Sequence, residues 1–251
     1  MRAIEEAFSR VGIQTAYAAS NATRCGAGSA YAADSVIRMD RNGRVVPLLV
    51  LPSQPVIFVE CRLKQQGAIW RIDHHHEGDP GFACGPADFL KGASLGQALN
   101  LLGHTPDSTQ RLLCAADHCL TAAYQGLCPD VDREELLFMR AAWRSLLSKQ
   151  SLDTVIGQIL RAAQMIEDRY DLQAGEAVFL DPTEVPPELP EGAAYAGLPV
   201  RYRTLSSIGG HQKECLKGAH PVRIQSFIDQ HRREGRRAYG NPHRGYAGVY
   251  L

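Results

Sequence analysis

The chain of 251 residues carries no excess of either charge: lysine plus arginine and aspartate plus glutamate number 27 each. No global field therefore draws it to nucleic acid or to an acidic membrane. None of its seven cysteines stands in a C-x-x-C pair, which argues against a zinc ribbon. Their odd number, with Cys114 and Cys119 inside a helical pattern, argues against a disulfide framework and suits a reducing cytoplasm. No apolar run approaches the roughly 20 residues needed to cross a bilayer. The N-terminal "MRAIEEAFSRVG" is charged throughout and reads as an amphipathic helix, not as a secretory leader. The expectation is a soluble, cytoplasmic protein. There is no repeat of supersecondary length and no low-complexity tract. With 45% hydrophobic and 22% charged residues, the composition is that of an ordinary globular chain with a sizeable core.

What is present begins with four short apolar runs: Ile13 to Ala19, Val45 to Leu51, Val56 to Cys61 and Ala68 to Ile72. They are continuous more than alternating, as in strands covered on both faces of a parallel or mixed sheet. The alanine-rich "GAGSAYAADSVIRM" between the first two reads as a crossover helix. From Ser94 to Tyr170 apolar residues recur at helical spacing. The proline-rich "DPTEVPPELPEG" (Asp181 to Gly192) is the only linker-like composition. Beyond it come a strand-like "LPVRYRTL", a glycine turn, a helix "PVRIQSFIDQHRREG" and a final "GYAGVYL". The fold class expected is α/β, a mostly parallel sheet flanked by helices over residues 1–172, followed by a smaller C-terminal α+β domain over 173–251.

Three polar clusters carry the candidate chemistry. In "AIWRIDHHHEGDPGF", Asp73, His74 and His75 follow directly on a strand, and strand carboxyl ends open onto ligand crevices in parallel sheets. Imidazole and carboxylate suit zinc, manganese or iron. The bland alternative is a surface turn, since "HEGDPG" is strong turn chemistry. His76 is expected outside the ligand set, because successive neighbours cannot all face one centre. In "AADHCLTAAY", Asp117 and His118 fall within an otherwise apolar helix, where an ionised carboxylate requires a partner; a metal or an interhelical hydrogen bond would serve. In "SSIGGHQKE", Gly209 and Gly210 let backbone amides approach a ligand and His211 adds a donor, although an ordinary turn explains the triplet too. Arg24, Lys213 and the basic "HRREGRRAYGNPHRGY" are further phosphate candidates or simply surface charge.

In order along the chain, "IDHH" at a strand end, a later helical aspartate and a distal "GGH" resemble the DHH phosphoesterase superfamily. The resemblance implies a two-domain α/β protein with manganese or a similar divalent ion (zinc or iron) in the interdomain cleft. It implies Asp73 and His74 as metal ligands, with His75 as a ligand or as the acid assisting the leaving group. Asp117 would be the later metal-site aspartate and a catalytic group, and Gly209, Gly210 and His211 would hold phosphate. The family's first motif normally supplies a histidine and two aspartates. The corresponding "AASNATRCGAGSA" has none, so the usual two-metal set cannot be built. One metal held by Asp73, His74, Glu60 and Asp117 or His118 is expected; alternatively the metals are lost and Arg24 supplies the positive charge. The function expected is metal-dependent hydrolysis of a phosphoester in a nucleotide or short oligonucleotide. The alternative is a catalytically degenerate binding protein for a phosphorylated ligand. No membrane partner is expected, and a homodimer is left open.

Overall fold

A computed structural model describes residues 1–26, 29–40, 44–48, 55–64, 67–205 and 210–251. The chain divides into two compact units, Met1–His118 with Cys128–Asp130, and Cys119–Leu127 with Val131–Leu251.

The first unit opens with α1 (Arg2–Arg10), which buries Ile4, Ala7 and Phe8. A four-stranded sheet follows, ordered β2 (Thr23–Arg24), β1 (Tyr17–Ser20), β3 (Ser35–Met39) and β4 (Val45–Leu48), antiparallel at every pairing. Asn21 and Ala22, both at positive φ, close the β1–β2 hairpin, as the primed two-residue turns of twisted hairpins require. Next come β5 (Ile57–Val59) and β6 (Trp70–Ile72), paired in parallel with Val59 opposite Ile72. Three helices complete the unit, α2 (Phe89–Gly92), α3 (Ser94–Leu101) and α4 (Ser108–His118), and α5 (Leu120–Tyr124) opens the second.

The second unit continues with α6 (Arg133–Ser148), capped by Asp132, whose side chain accepts from the Glu134 and Glu135 amides, and α7 (Leu152–Arg169), capped by Ser151. Such caps satisfy amides that the first helical turn leaves without a partner. A six-stranded sheet is ordered β11 (Ala238–Asn241), β12 (Tyr246–Tyr250), β10 (Gln212–Lys217), β9 (Val200–Leu205), β8 (Glu176–Phe179), β7 (Tyr170–Asp171). Alternation along β10 splits its core in two. Cys215 packs with Tyr202, Phe179 and residues of α7 and of α8 (Leu189–Ala196). The adjacent Leu216 packs with Val249 and with Ile224, Phe227 and Ile228 of α9 (Pro221–Arg233).

The mostly parallel sheet expected from the sequence is contradicted. Among the described residues, parallel pairing is confined to β5–β6, β8–β9 and an isolated bridge between Ala33 and Leu63. The reason lies in "GAGSAYAADSVIRM", whose described residues form no crossover helix. Ala30–Ala32 is a single 3-10 turn and Ser35–Met39 is a strand. Instead the chain turns back at once into the β1–β2 hairpin, with no helix to carry it across the sheet face, and β3 returns antiparallel to β1. The proline-rich segment is likewise no extended linker. Pro182–Glu184 makes a 3-10 turn, and Pro190 sits in the first turn of α8, whose Leu189 is fully buried. Among the described residues no helix is long and apolar enough to cross a membrane.

Candidate functional site

The parallel pair β5–β6 places the site. In its register Glu60, one residue beyond β5, stands level with Asp73, one residue beyond β6, and the Glu60 amide donates to Ile72 O at 3.0 Å. Glu60 has φ 50°, the left-handed region that a non-glycine residue enters at a cost and that is concentrated at functional sites. Glu60, His74 and His75 each offer one ligand atom, all within 4.8 Å of one another.

Asp73 is fully buried. Its Oδ1 accepts from the amides of His74 (2.8 Å) and His75 (3.1 Å) and lies 2.8 Å from His75 Nδ1. The Tyr31 hydroxyl reaches both carboxylate oxygens, at 3.0 and 2.9 Å. Burial pushes this carboxyl up, but His75, Tyr31 and the two amides outweigh it and hold the group at about 2. The same burial and the negative charge of Asp73 push the Tyr31 phenol up, so it remains a donor. Gln97 of α3 clamps the backbone: its Oε1 accepts from Asp73 N at 3.2 Å, and its Nε2 donates to Asp73 O at 3.0 Å and Gly92 O at 2.8 Å.

The tautomers follow from the partners. Asp73 can only accept from His75 Nδ1, which assigns the hydrogen there and the lone pair to Nε2. His118 Nε2 lies 2.8 Å from Cys84 O, a pure acceptor, so His118 Nδ1 carries the lone pair. That nitrogen and Gly92 O both stand 3.2 Å from His74 Nδ1, which assigns the His74 hydrogen to Nδ1 and its lone pair to Nε2. Asp117 Oδ2 is 3.7 Å from His74 Nε2. His118 thus has both ring nitrogens turned to Cys84 and His74, and it orients His74.

A second group, Asp73, His76 and Asp79, also clusters, but its buried Asp79 is already compensated. Arg71 lies 3.1 Å and Arg62 3.6 Å from Asp79 Oδ1, and the His76 amide donates to Oδ2 at 2.8 Å. The Glu60–His74–His75 set therefore fits a cation better.

Asp117 and His118 are not in the middle of a helix, as expected, but at the carboxyl end of α4, which breaks at Cys119 (φ −149°) before α5. Asp117 is consequently exposed. Arg24 lies in the exposed strand β2 with its guanidinium 3.8 Å over the Tyr17 ring. Gly209 lies outside the described residues. Gly210 takes φ 65°, and His211 lines a cavity of about 320 Å³ with Arg237, Tyr250 and Leu251. Lys213 projects towards two rings instead, with Nζ 5.0 Å from the Tyr239 centroid and 5.9 Å from that of Tyr250.

Sequence reasoning missed Tyr31, Gln97 and the glycine platform. A Cβ on Gly92 would lie 2.3 Å from His118 Nε2, and one on Gly81 would lie 2.1 Å from Gly92 O. The only hint was Gly96 inside the helical pattern that begins at Ser94, where a glycine without a turn to serve marks close approach. No family model matches the chain, and no curated protein and no solved structure matches it.

Proposed function

We propose that the chain is a metal-dependent phosphoester hydrolase acting on a nucleotide or short oligonucleotide. Glu60, His74 and His75 would hold one divalent ion, manganese first and zinc or iron as alternatives. The observation that carries this reading is the convergence of one carboxylate and two imidazoles within 4.8 Å at the carboxyl ends of two parallel strands. Two nitrogens and one oxygen suit these ions, whereas magnesium and calcium prefer oxygen throughout. The buried Asp73, holding the Nδ1 hydrogen of His75, supports it further, because such carboxylate–histidine pairs fix the ring of a metal ligand and raise its basicity. When bound, such an ion polarises a phosphoryl oxygen and lowers the pKa of a bound water.

The other groups follow from their placement. Asp73 and His118 keep the rings of His75 and His74 in the orientations described. Asp117, exposed with Oδ2 3.7 Å from His74 Nε2, would accept a proton from an attacking water. In the second unit, Gly210, His211 and Arg237 form a separate candidate anion site by themselves. The second reading, a phosphoryl-ligand binding protein without turnover, draws on that His211–Arg237 cavity, which offers the Arg237 guanidinium independent of any metal.

The test is dialysis of chelator-treated, tag-free protein against manganese, elemental analysis, and assay on bis(p-nitrophenyl) phosphate and short oligonucleotides. About one equivalent is expected, with hydrolysis dependent on it. Glu60→Gln with His75→Ala should abolish both. Full metal content in that double variant would overturn the site, and metal uptake without hydrolysis would favour the binding reading.

A further inference from the structure

Helix α6 is apolar on two sides. Its inner side buries Leu136, Leu137 and Ala141. On its outer side Phe138, Trp143, Leu146 and Leu147 are 58, 53, 80 and 65% exposed. At about 100° per residue these four, with Met139 and Ala142, span one half of the helix surface, in which the buried Leu136 sits only near the amino end. Four large side chains exposed to that degree amount to roughly 500 Å², at the upper end of what monomers leave uncovered and a large part of the ~800 Å² each partner gives to a standard interface.

We propose that this outer face of α6 binds a second copy of the chain about a two-fold axis, with the two helices antiparallel. The pattern is symmetric about the Ala142–Trp143 peptide. Antiparallel pairing there sets Phe138 against the partner's Leu147, Met139 against the partner's Leu146, and the small Ala142 against the partner's Trp143. Every large side chain thus meets a complementary one, as an isologous contact demands. Charge agrees with this register. The first turn of α6 is acidic, with Glu134 and Glu135, and Lys149 follows its last turn. Antiparallel copies bring Glu135 beside the partner's Lys149, and the helix dipoles oppose. A parallel pair would set like ends together. Zero formal net charge adds no global repulsion between copies. The central anchor is also held in place: Arg140, fixed by Glu191 at 2.9 and 2.6 Å, stands 5.5 Å from the Trp143 ring centroid.

Sedimentation velocity of the full chain between roughly 1 and 100 µM tests this directly, because a specific interface of this size reaches micromolar affinity. The wild type should sediment as a dimer at the upper end. Leu146→Glu should raise the dissociation constant at least about 30-fold. Leu172→Glu, at a residue 88% exposed outside α6, should leave it unchanged. Circular dichroism verifies that each variant is folded. Glu135→Lys should weaken association about threefold and Lys149→Glu in the same chain should restore it. A wild type that is monomeric throughout, or a dimer that survives Leu146→Glu, would overturn the interface. Absence of coupling between positions 135 and 149 would overturn the antiparallel register.

Discussion

Asp73 in the first unit and Glu191 in the second are both buried carboxylates, yet the groups around them differ in kind. Glu191 is gripped by permanent cations: Arg140 Nε and Nη2 at 2.9 and 2.6 Å, Arg144 Nη1 at 3.8 Å, and the Tyr124 hydroxyl at 3.0 Å. Arg144 also pairs with Glu188. Asp73 is surrounded by a phenol, two amides and an imidazole, none of which carries a fixed positive charge. In the second unit charge is balanced within the chain. In the first, Glu60, Asp73 and Asp117 gather around the rings of His74 and His75. Glu191 is thus held by cations of its own unit, whereas Asp73 is held by hydrogen bonds that also orient the imidazole of His75.

The largest expected effect breaks the closed network. Glu191→Ala leaves the mostly buried Arg140 without its counter-charge and should cost about 3–5 kcal/mol in urea denaturation, with manganese stoichiometry of the folded protein unchanged. A loss below ~1 kcal/mol would show that water reaches Arg140 and that this network is not the structural element inferred. Asp73→Asn should cost less, about 1–3 kcal/mol from donors left without an acceptor, but weaken manganese binding about 10- to 100-fold.

Acid separates the same variants. A carboxyl held at about 2 against an ordinary 3.8 binds protons more readily unfolded than folded. Its contribution is present above the ordinary carboxyl value and is lost as pH falls through the folded one. Glu191 is likewise lowered: burial raises it, and the hydrogen bonds and charge of Arg140 more than offset that. Stability should therefore decline from about pH 5 downwards, and Asp73→Asn should flatten this slope in part while the contribution of Glu191 remains. An unchanged slope would mean Asp73 titrates normally.

Two glycines give a matched pair of smaller effect. A Cβ at Gly92 meets the His118 ring at 2.3 Å, and one at Gly192 meets Ala162 Cβ at 2.7 Å and Ala163 N at 2.8 Å. Both alanine variants should lose about 1–3 kcal/mol from overpacking. Only Gly92→Ala, by displacing His118 and with it His74, should lower manganese affinity.

What the sequence disclosed was local. Asp73, His74 and His75 stand at a strand end, and Glu60 at the end of the neighbouring strand, because short apolar runs followed by polar residues report the place where a strand stops. The helices after Ser94 were legible from their period and caps, except the break at Cys119, which no proline or glycine announces. The sheets were misread because a continuous apolar run looks alike in a parallel and an antiparallel sheet; pairing direction is set by the connection, and "GAGSAYAADSVIRM" contains residues that suit a helix as well as a strand. Tyr31 and Gln97 were invisible for another reason. Each lies more than twenty residues from Asp73, and nothing in a lone tyrosine or glutamine tells which carboxylate or backbone it will meet.

The smallest effect sharpens the comparison most. Tyr31→Phe and Tyr124→Phe each delete a phenol that donates to a buried carboxylate, Asp73 in one unit and Glu191 in the other. Removing one such donor should cost about 1 kcal/mol in either case. The carboxylates then part company. Glu191 retains Arg140 and Arg144, so Tyr124→Phe should change nothing beyond stability. Asp73 loses one of the donors that hold it on His75 Nδ1, so the ring is less firmly oriented and manganese should bind about 10-fold more weakly. Calorimetric titration of both variants decides it: equal, unchanged affinities would place Asp73 in the same structural class as Glu191, whereas a loss confined to Tyr31→Phe would mark Tyr31 as a positioning residue of the metal site.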